Sequence, residues 1–146
     1  MIQYPNTYYN RFDPSKNYKK LLFLSGQGLQ AAELNEVQDT ILNELKSIGS
    51  HLIKNGTIVD GGDIESITDT AIMLLAGSVY ADGFTISVST RSVPITAAGV
   101  EVIGMAVSSF LFTVLDDPVI REPDPESPNY GQPGSYRLAQ TGVWIV

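Results

Sequence analysis

Between residues 29 and 55 apolar side chains return every three or four positions: Leu34, Val37, Ile41, Leu45, Ile48 and Leu52. That period draws one apolar stripe down one side of an α-helix. Glu33, Glu36, Asp39, Asn43 and Lys46 fall mostly on the other side. Gly26 and Gly28 precede the pattern, and Asn55-Gly56 offers a left-handed stop after Lys54. At ~1.5 Å per residue such a helix runs about 39 Å, which is long for a small domain. Two uses fit the stripe. It can be a seam buried against copies of itself in a multimeric bundle, or an ordinary amphipathic face lying on the sheet that follows. Steps closer to 3.6 than to a strict heptad tilt the spacing toward the second.

From residue 56 to residue 115 the period shortens to two. Ile58-Val59 runs into Asp60-Gly61-Gly62-Asp63, a turn signal, and apolar residues 71–76 lead through Ser78-Val79-Tyr80 to Asp82-Gly83. An Asp-Gly pair between apolar runs predicts a tight hairpin. Phe84, Ile86 and Val88 alternate with Thr85 and Ser87, and Val93 and Ile95 continue the pattern to a turn at Ala98-Gly99. Residues 100–107 and 110–115 each have the length and β-branched content of a strand. Five or six short antiparallel strands make a small sandwich or barrel. The fold class expected is therefore α+β.

The flanks differ from both. Residues 1–28 form an extended arm, with Tyr4, Tyr8, Tyr9, Phe12 and Tyr18 interrupted by Pro5 and Pro14. Tyrosine and phenylalanine bury large areas with few rotatable bonds, so such an arm packs on something, its own domain or a partner. Residues 116–146 open as a connector. Five of the eight prolines lie between 118 and 133, which excludes a helix or a central strand there. Beyond it, Tyr136-Arg137-Leu138 and Gly142-Val143-Trp144-Ile145-Val146 begin a strand-like region that stops on apolar residues. The expectation is the front part of a longer protein, with a naturally terminating strand as the competing reading.

Charge changes the picture of the arm. The chain carries −7, which disfavours nucleic acid as a partner, because phosphate binding depends on Lys and Arg. Within the first 24 residues, however, Arg11, Lys16, Lys19 and Lys20 face Asp13 alone, a local +3 that leaves −10 for the rest. A basic arm of this kind docks on an acidic surface, its own or a neighbour's, or simply stays solvated. With 43% hydrophobic and 17% charged residues, a packed domain is expected. Cysteine is absent, so no disulfide or thiolate metal site exists. The longest apolar runs are far shorter than a membrane span, and the first six residues lack a signal-peptide layout. No membrane partner is expected.

Candidate chemistry is thin. His51 is the single histidine and sits beside the helical stripe, without a nucleophile in the pattern of a triad. Asp60 and Asp63 with Glu65 supply oxygens for Ca²⁺ in principle, but the spacing matches no calcium loop and reads as a turn. Asp116, Asp117, Asp124 and Glu126 fall in the proline-rich connector, where a solvated loop is the simpler reading than a glycosidase pair. Neither a cofactor, a metal nor a catalytic set is expected.

Several stretches resemble a known family. They are Phe12-Asp13-Pro14-Ser15-Lys16-Asn17-Tyr18, Leu22-Phe23, Gln30-Ala31-Ala32-Glu33-Leu34-Asn35-Glu36-Val37-Gln38, Asn55-Gly56, Ala76-Gly77-Ser78-Val79-Tyr80 with Asp82-Gly83, Asp116-Asp117-Pro118, and residues 129–138. In this order they resemble the opening of phage virion proteins that carry an N-terminal domain of unknown function. Members are typically longer and sit at the phage tail as fibre or baseplate-associated proteins. The resemblance implies a structural virion protein, assembled in the host cytoplasm, that attaches a tail fibre to the baseplate. Tail fibres are usually trimeric, so a homotrimer is expected.

On that reading Tyr8, Tyr9, Phe12, Tyr18, Lys19 and Lys20 contact baseplate or tail proteins. Leu34, Val37, Ile41, Leu45, Ile48 and Leu52 assemble the subunits. Two alternatives stay open. One is a receptor- or glycan-binding module using Tyr80, Tyr130 or Trp144, and the other is the front of a depolymerase spike.

Overall fold

A computed structural model describes residues 4–96 and 98–146. The first three residues of the expected arm lie outside the described residues. An extended arm carries a short 3-10 turn at Pro14–Lys16, capped by the Asp13 carboxylate on the Ser15 amide. The helix α1 follows at Ala31–Leu52, then eight strands: β1 Ile58–Gly61, β2 Ile64–Ile67, β3 Ala71–Leu74, β4 Gly77–Ala81, β5 Phe84–Val88, β6 Arg91–Pro94, β7 Gly104–Phe112 and β8 Arg137–Ile145.

The helix is two residues shorter at its start than its pattern and stops before Asn55-Gly56. At the N-terminus the Gln30 amide donates to the Glu33 carboxylate at 2.9 Å, and the Glu33 amide donates to the Gln30 carbonyl at 3.0 Å. At the other end Ile53 is extended, and Asn55-Gly56 instead makes a separate turn, closed by the Thr57 amide on the Lys54 carbonyl. Twenty-two residues give a rod of about 33 Å.

The strands form two sheets packed face to face. Five strands run in the order β1-β4-β5-β8-β7 and three in the order β2-β3-β6, all pairs antiparallel except a short parallel contact of β5 with β8 at Val88 and Gly142. Gly62-Asp63 carries the chain from the first sheet to the second, and the turn expected over residues 60–63 is shorter because Asp60 and Gly61 pair with β4. The core between them draws equally on both: Ile72, Leu74 and Val93 from the small sheet, Val79, Val88 and Trp144 from the large one. The Trp144 indole N–H reaches the Leu75 carbonyl at 3.4 Å, tying the sheets across that core. The architecture is α+β with a small sandwich.

Three strand expectations need correction. Residues 64–67, not singled out in the sequence, form β2. Residues 100–107 and 110–115 do not make separate strands; one strand runs unbroken through Ser108-Ser109, because serines are tolerated where a strand is solvated. The β-fold also passes residue 115: after the proline-rich loop the chain returns as β8, paired with β7 over nine positions. The segment read as leading away from the domain thus supplies Trp144 to its centre.

The Asp82-Gly83 hairpin forms as expected. Ala81 pairs with Phe84, and both loop residues have positive φ, 53° and 94°, the requirement of a type I′ turn. This hairpin is where the helix meets the sandwich. Tyr80, buried at 5% exposure, lies against Gly49, where any larger residue would collide with its ring. Lys46 pairs with Asp82, and the Asp82 amide donates to Asn55 Oδ1 at 2.9 Å. The helix therefore touches the sandwich near its C-terminal end.

Candidate interaction surfaces

The arm lies along the polar side of α1. Arg11 reaches Glu36 at 3.5 Å and Glu33 at 3.8 Å, and Lys19 reaches Glu44 at 2.5 Å. The Asn10 amide donates to Asp39, and Asn35 donates to the Tyr9 carbonyl at 2.8 Å. Tyr4 stacks on Tyr8 with ring centroids 4.6 Å apart. Burial pushes the Tyr4 hydroxyl pKa up, with Tyr8 and Asp39 adding to the same direction. The basic arm thus finds its acidic surface on its own helix. Each attachment is polar and at least partly exposed, which makes it weak and sensitive to salt.

The opposite side of the helix is left uncovered. Leu34, Ile41, Leu45, Ile48 and Leu52 are exposed, Leu52 to 78%, and Val37 is half-buried. Thr40, the one buried residue of α1, lies on the arm side and returns its hydroxyl to the Glu36 carbonyl. Among the described residues, the stripe is not packed on the chain's own sheet. Accessible area tells the same story: 10852 Å² against about 7,300 Å² for a compact monomer of this mass.

The other predicted contact residues divide. Tyr9 and Tyr18 point to solvent at 68% and 63% exposure, Lys20 is exposed, and Phe12 is half-buried. Lys19 is occupied by Glu44. Arg11, Asn10 and Asn35, which fasten the arm, were not among the sequence candidates. Their signal was the acid spacing Glu33, Glu36, Asp39 and Glu44 facing a +3 segment. Tyr80 and Trp144 are both 5% exposed, so neither can stack on a sugar; Tyr130 remains exposed in its loop.

Of the candidate chemical groups, Asp60 and Glu65 lie in β1 and β2 and not in a turn, whereas Asp13 and Asp116 cap local turns. Asp116 accepts from the Thr113 amide and hydroxyl, both at 2.9 Å, and its pKa is lowered, chiefly by that amide. Asp13 is lowered in the same way, first by the Ser15 hydroxyl. His51 Nδ1 contacts the Ser47 carbonyl at 2.6 Å on the exposed last turn of the helix. A cavity of 290 Å³ opens between arm and helix, but its walls alternate Arg11, Lys16, Glu33 and Glu36 with Leu22 and Phe23 and converge on no single chemistry. No helix of the described residues is long and apolar enough to cross a membrane.

The chain belongs to the family of a domain of unknown function, DUF4815, whose model matches residues 6–146. Comparison with curated proteins and with solved structures gave no match.

Proposed function

We propose that this chain is a non-enzymatic attachment and assembly module of a phage tail fibre. In this reading α1 gathers subunits into a homotrimer while the aromatic arm holds a baseplate or tail protein. The virion incorporates the assembled fibre after both are made in the host cytoplasm. Neither a cofactor nor nucleic acid takes part.

One observation carries the assembly half: an apolar stripe spanning the whole of a ~33 Å helix lies in water, with the arm fastened to the other side. Burying a leucine or isoleucine contributes about 1.5–3 kcal/mol. Five such side chains left exposed are a large unspent driving force, and a closed three-fold bundle buries the same seam from every copy. The fibre half rests on the resemblance carried by residues 12–18, 30–38 and 129–138, and on the character of the arm. Tyr9 and Tyr18 present large rigid surfaces to solvent, and Lys20 is exposed with them.

Alanine at Tyr8, Tyr9, Phe12 and Tyr18 together tests the tether. Loss of one anchoring aromatic costs about 2 kcal/mol or more at an interface, so the fourfold variant should fold and fail to join phage tails. Normal incorporation would overturn the tether.

A further inference from the structure

We infer that the free edge of β7 is completed by the extended run Leu21-Leu22-Phe23-Leu24 of a neighbouring copy, so that an added strand joins subunits alongside the helical seam. The inference rests on the assembly reading above and deepens it.

Edge strands are usually blunted, because a row of unpaired amides and carbonyls invites another chain. Three edges here follow that rule. β1 and β2 have four residues each, with a break in register and a carboxylate, Asp60 or Glu65. β6 starts at Arg91 and ends at Pro94. β7 has none of these devices. Its nine residues Gly104–Phe112 contain no charge and no proline, and they pair with β8 in unbroken register. Its other side takes no backbone hydrogen bond among the described residues. About half of its backbone groups therefore point outward and unpaired.

The position beside β7 is apolar above and below. Phe110 and Phe112 line it on one face and Val107 on the other, all between 39% and 47% exposed. A strand added there would set its side chains beside Phe110 and Phe112 on one face and beside Val107 on the other, so a continuous apolar run suits it. Leu21-Leu22-Phe23-Leu24 is such a run. It belongs to no strand of its own chain, and Leu22, Phe23 and Leu24 are 73%, 56% and 60% exposed. Lys19-Lys20 precedes it and a turn closed by the Gln27 amide on the Leu24 carbonyl follows, so it is four residues long, as are β1, β2, β3 and β6. The surplus accessible area of this chain, roughly 3,500 Å² over a compact monomer, exceeds the ~800 Å² per partner of an ordinary interface. A second copy is the occupant that uses both unpaired elements at once.

The absence of native cysteine makes the test direct. Ser108→Cys, exposed at mid-β7, is combined in turn with Leu22→Cys, Phe23→Cys or Leu24→Cys, which covers one-residue changes of register. The proteins are oxidised and run without reductant, and linked peptides are mapped by mass spectrometry. The expected result is a covalent ladder of two or more chains for at least one pair, with every single variant remaining uncrosslinked. Three results would overturn the inference: no link in any pair, a link within one chain, or a disulfide dimer from Ser108→Cys alone, which would mean β7 pairs with β7. Light scattering of the unmodified chain separates the two readings. An oligomer without the cross-link sinks the added strand alone, whereas a monomer sinks the assembly reading with it.

Discussion

Replacing Glu36 and Glu44 by glutamine should loosen the arm without touching the helix cap, since Glu33 keeps its bond to the Gln30 amide. Each substitution removes one ion pair, Arg11–Glu36 or Lys19–Glu44. In both pairs the cation is more than half exposed, 53% for Arg11 and 62% for Lys19, so solvent screens much of the attraction. Each pair then contributes about 0.5 kcal/mol, and the two together about 1 kcal/mol. That lowers the docked-to-open ratio roughly fivefold. Trypsin reads the ratio, because Arg11, Lys16, Lys19 and Lys20 are all in the arm and cleavage follows the open population when closing is fast. The variant should lose its arm about five times faster than the parent. Raising salt from ~0.1 M to ~1 M shrinks the screening length from about 10 to about 3 Å. It should speed the parent in the same direction and the variant less. Equal cleavage rates, together with no response to salt, would refute electrostatic docking of the arm.

Other consequences are equally direct. Gly83→Ala forces a side chain onto a φ of 94° and places its Cβ 2.8 Å from that of Lys46. It should cost about 1–2 kcal/mol from the backbone alone, seen as a lower urea midpoint, and an unchanged midpoint would count against the joint described here. Trp144→Ala removes the residue that spans both sheets and should cost about 3–5 kcal/mol in the same assay; a loss below about 1 kcal/mol would mean the core lies elsewhere. Asp13 and Asp116 have folded pKa values depressed below the ordinary 3.8, so their turns are stabilised above that pH and released as pH falls through the folded values. Carboxyl carbon shifts followed by NMR should give midpoints below 3.8 for both, and midpoints at or above it would contradict the turn geometry.

The helix and the hairpin were legible because each depends on local chemistry. A stripe at steps of 3 and 4 can only be one face of a helix, and Asp82-Gly83 is one of few pairs that accept two positive φ values. What covers the stripe was not legible, since periodicity says which residues share a face and nothing about its neighbour. The arm shows the same limit from the other side. Its composition announced an acidic surface to dock on, but whether that surface was its own depended on how far residues 10–19 could run along α1. β2 was hidden because Glu65-Ser66 interrupts a four-residue strand. β8 was read as strand-like, but its return to the sandwich was hidden because its partner β7 lies across a proline-rich loop, and pairing at that distance leaves no trace in local pattern.

If α1 is an assembly seam, the mass of the chain in solution must report it. Light scattering across a range of concentrations should give three times 15.8 kDa for the parent. The Leu34→Asp/Ile41→Asp variant, which sets two charges in the N-terminal half of the stripe, should give 15.8 kDa. A parent that stays at the mass of one chain at every concentration would contradict the account, because the exposed stripe would then have no copy to bury it.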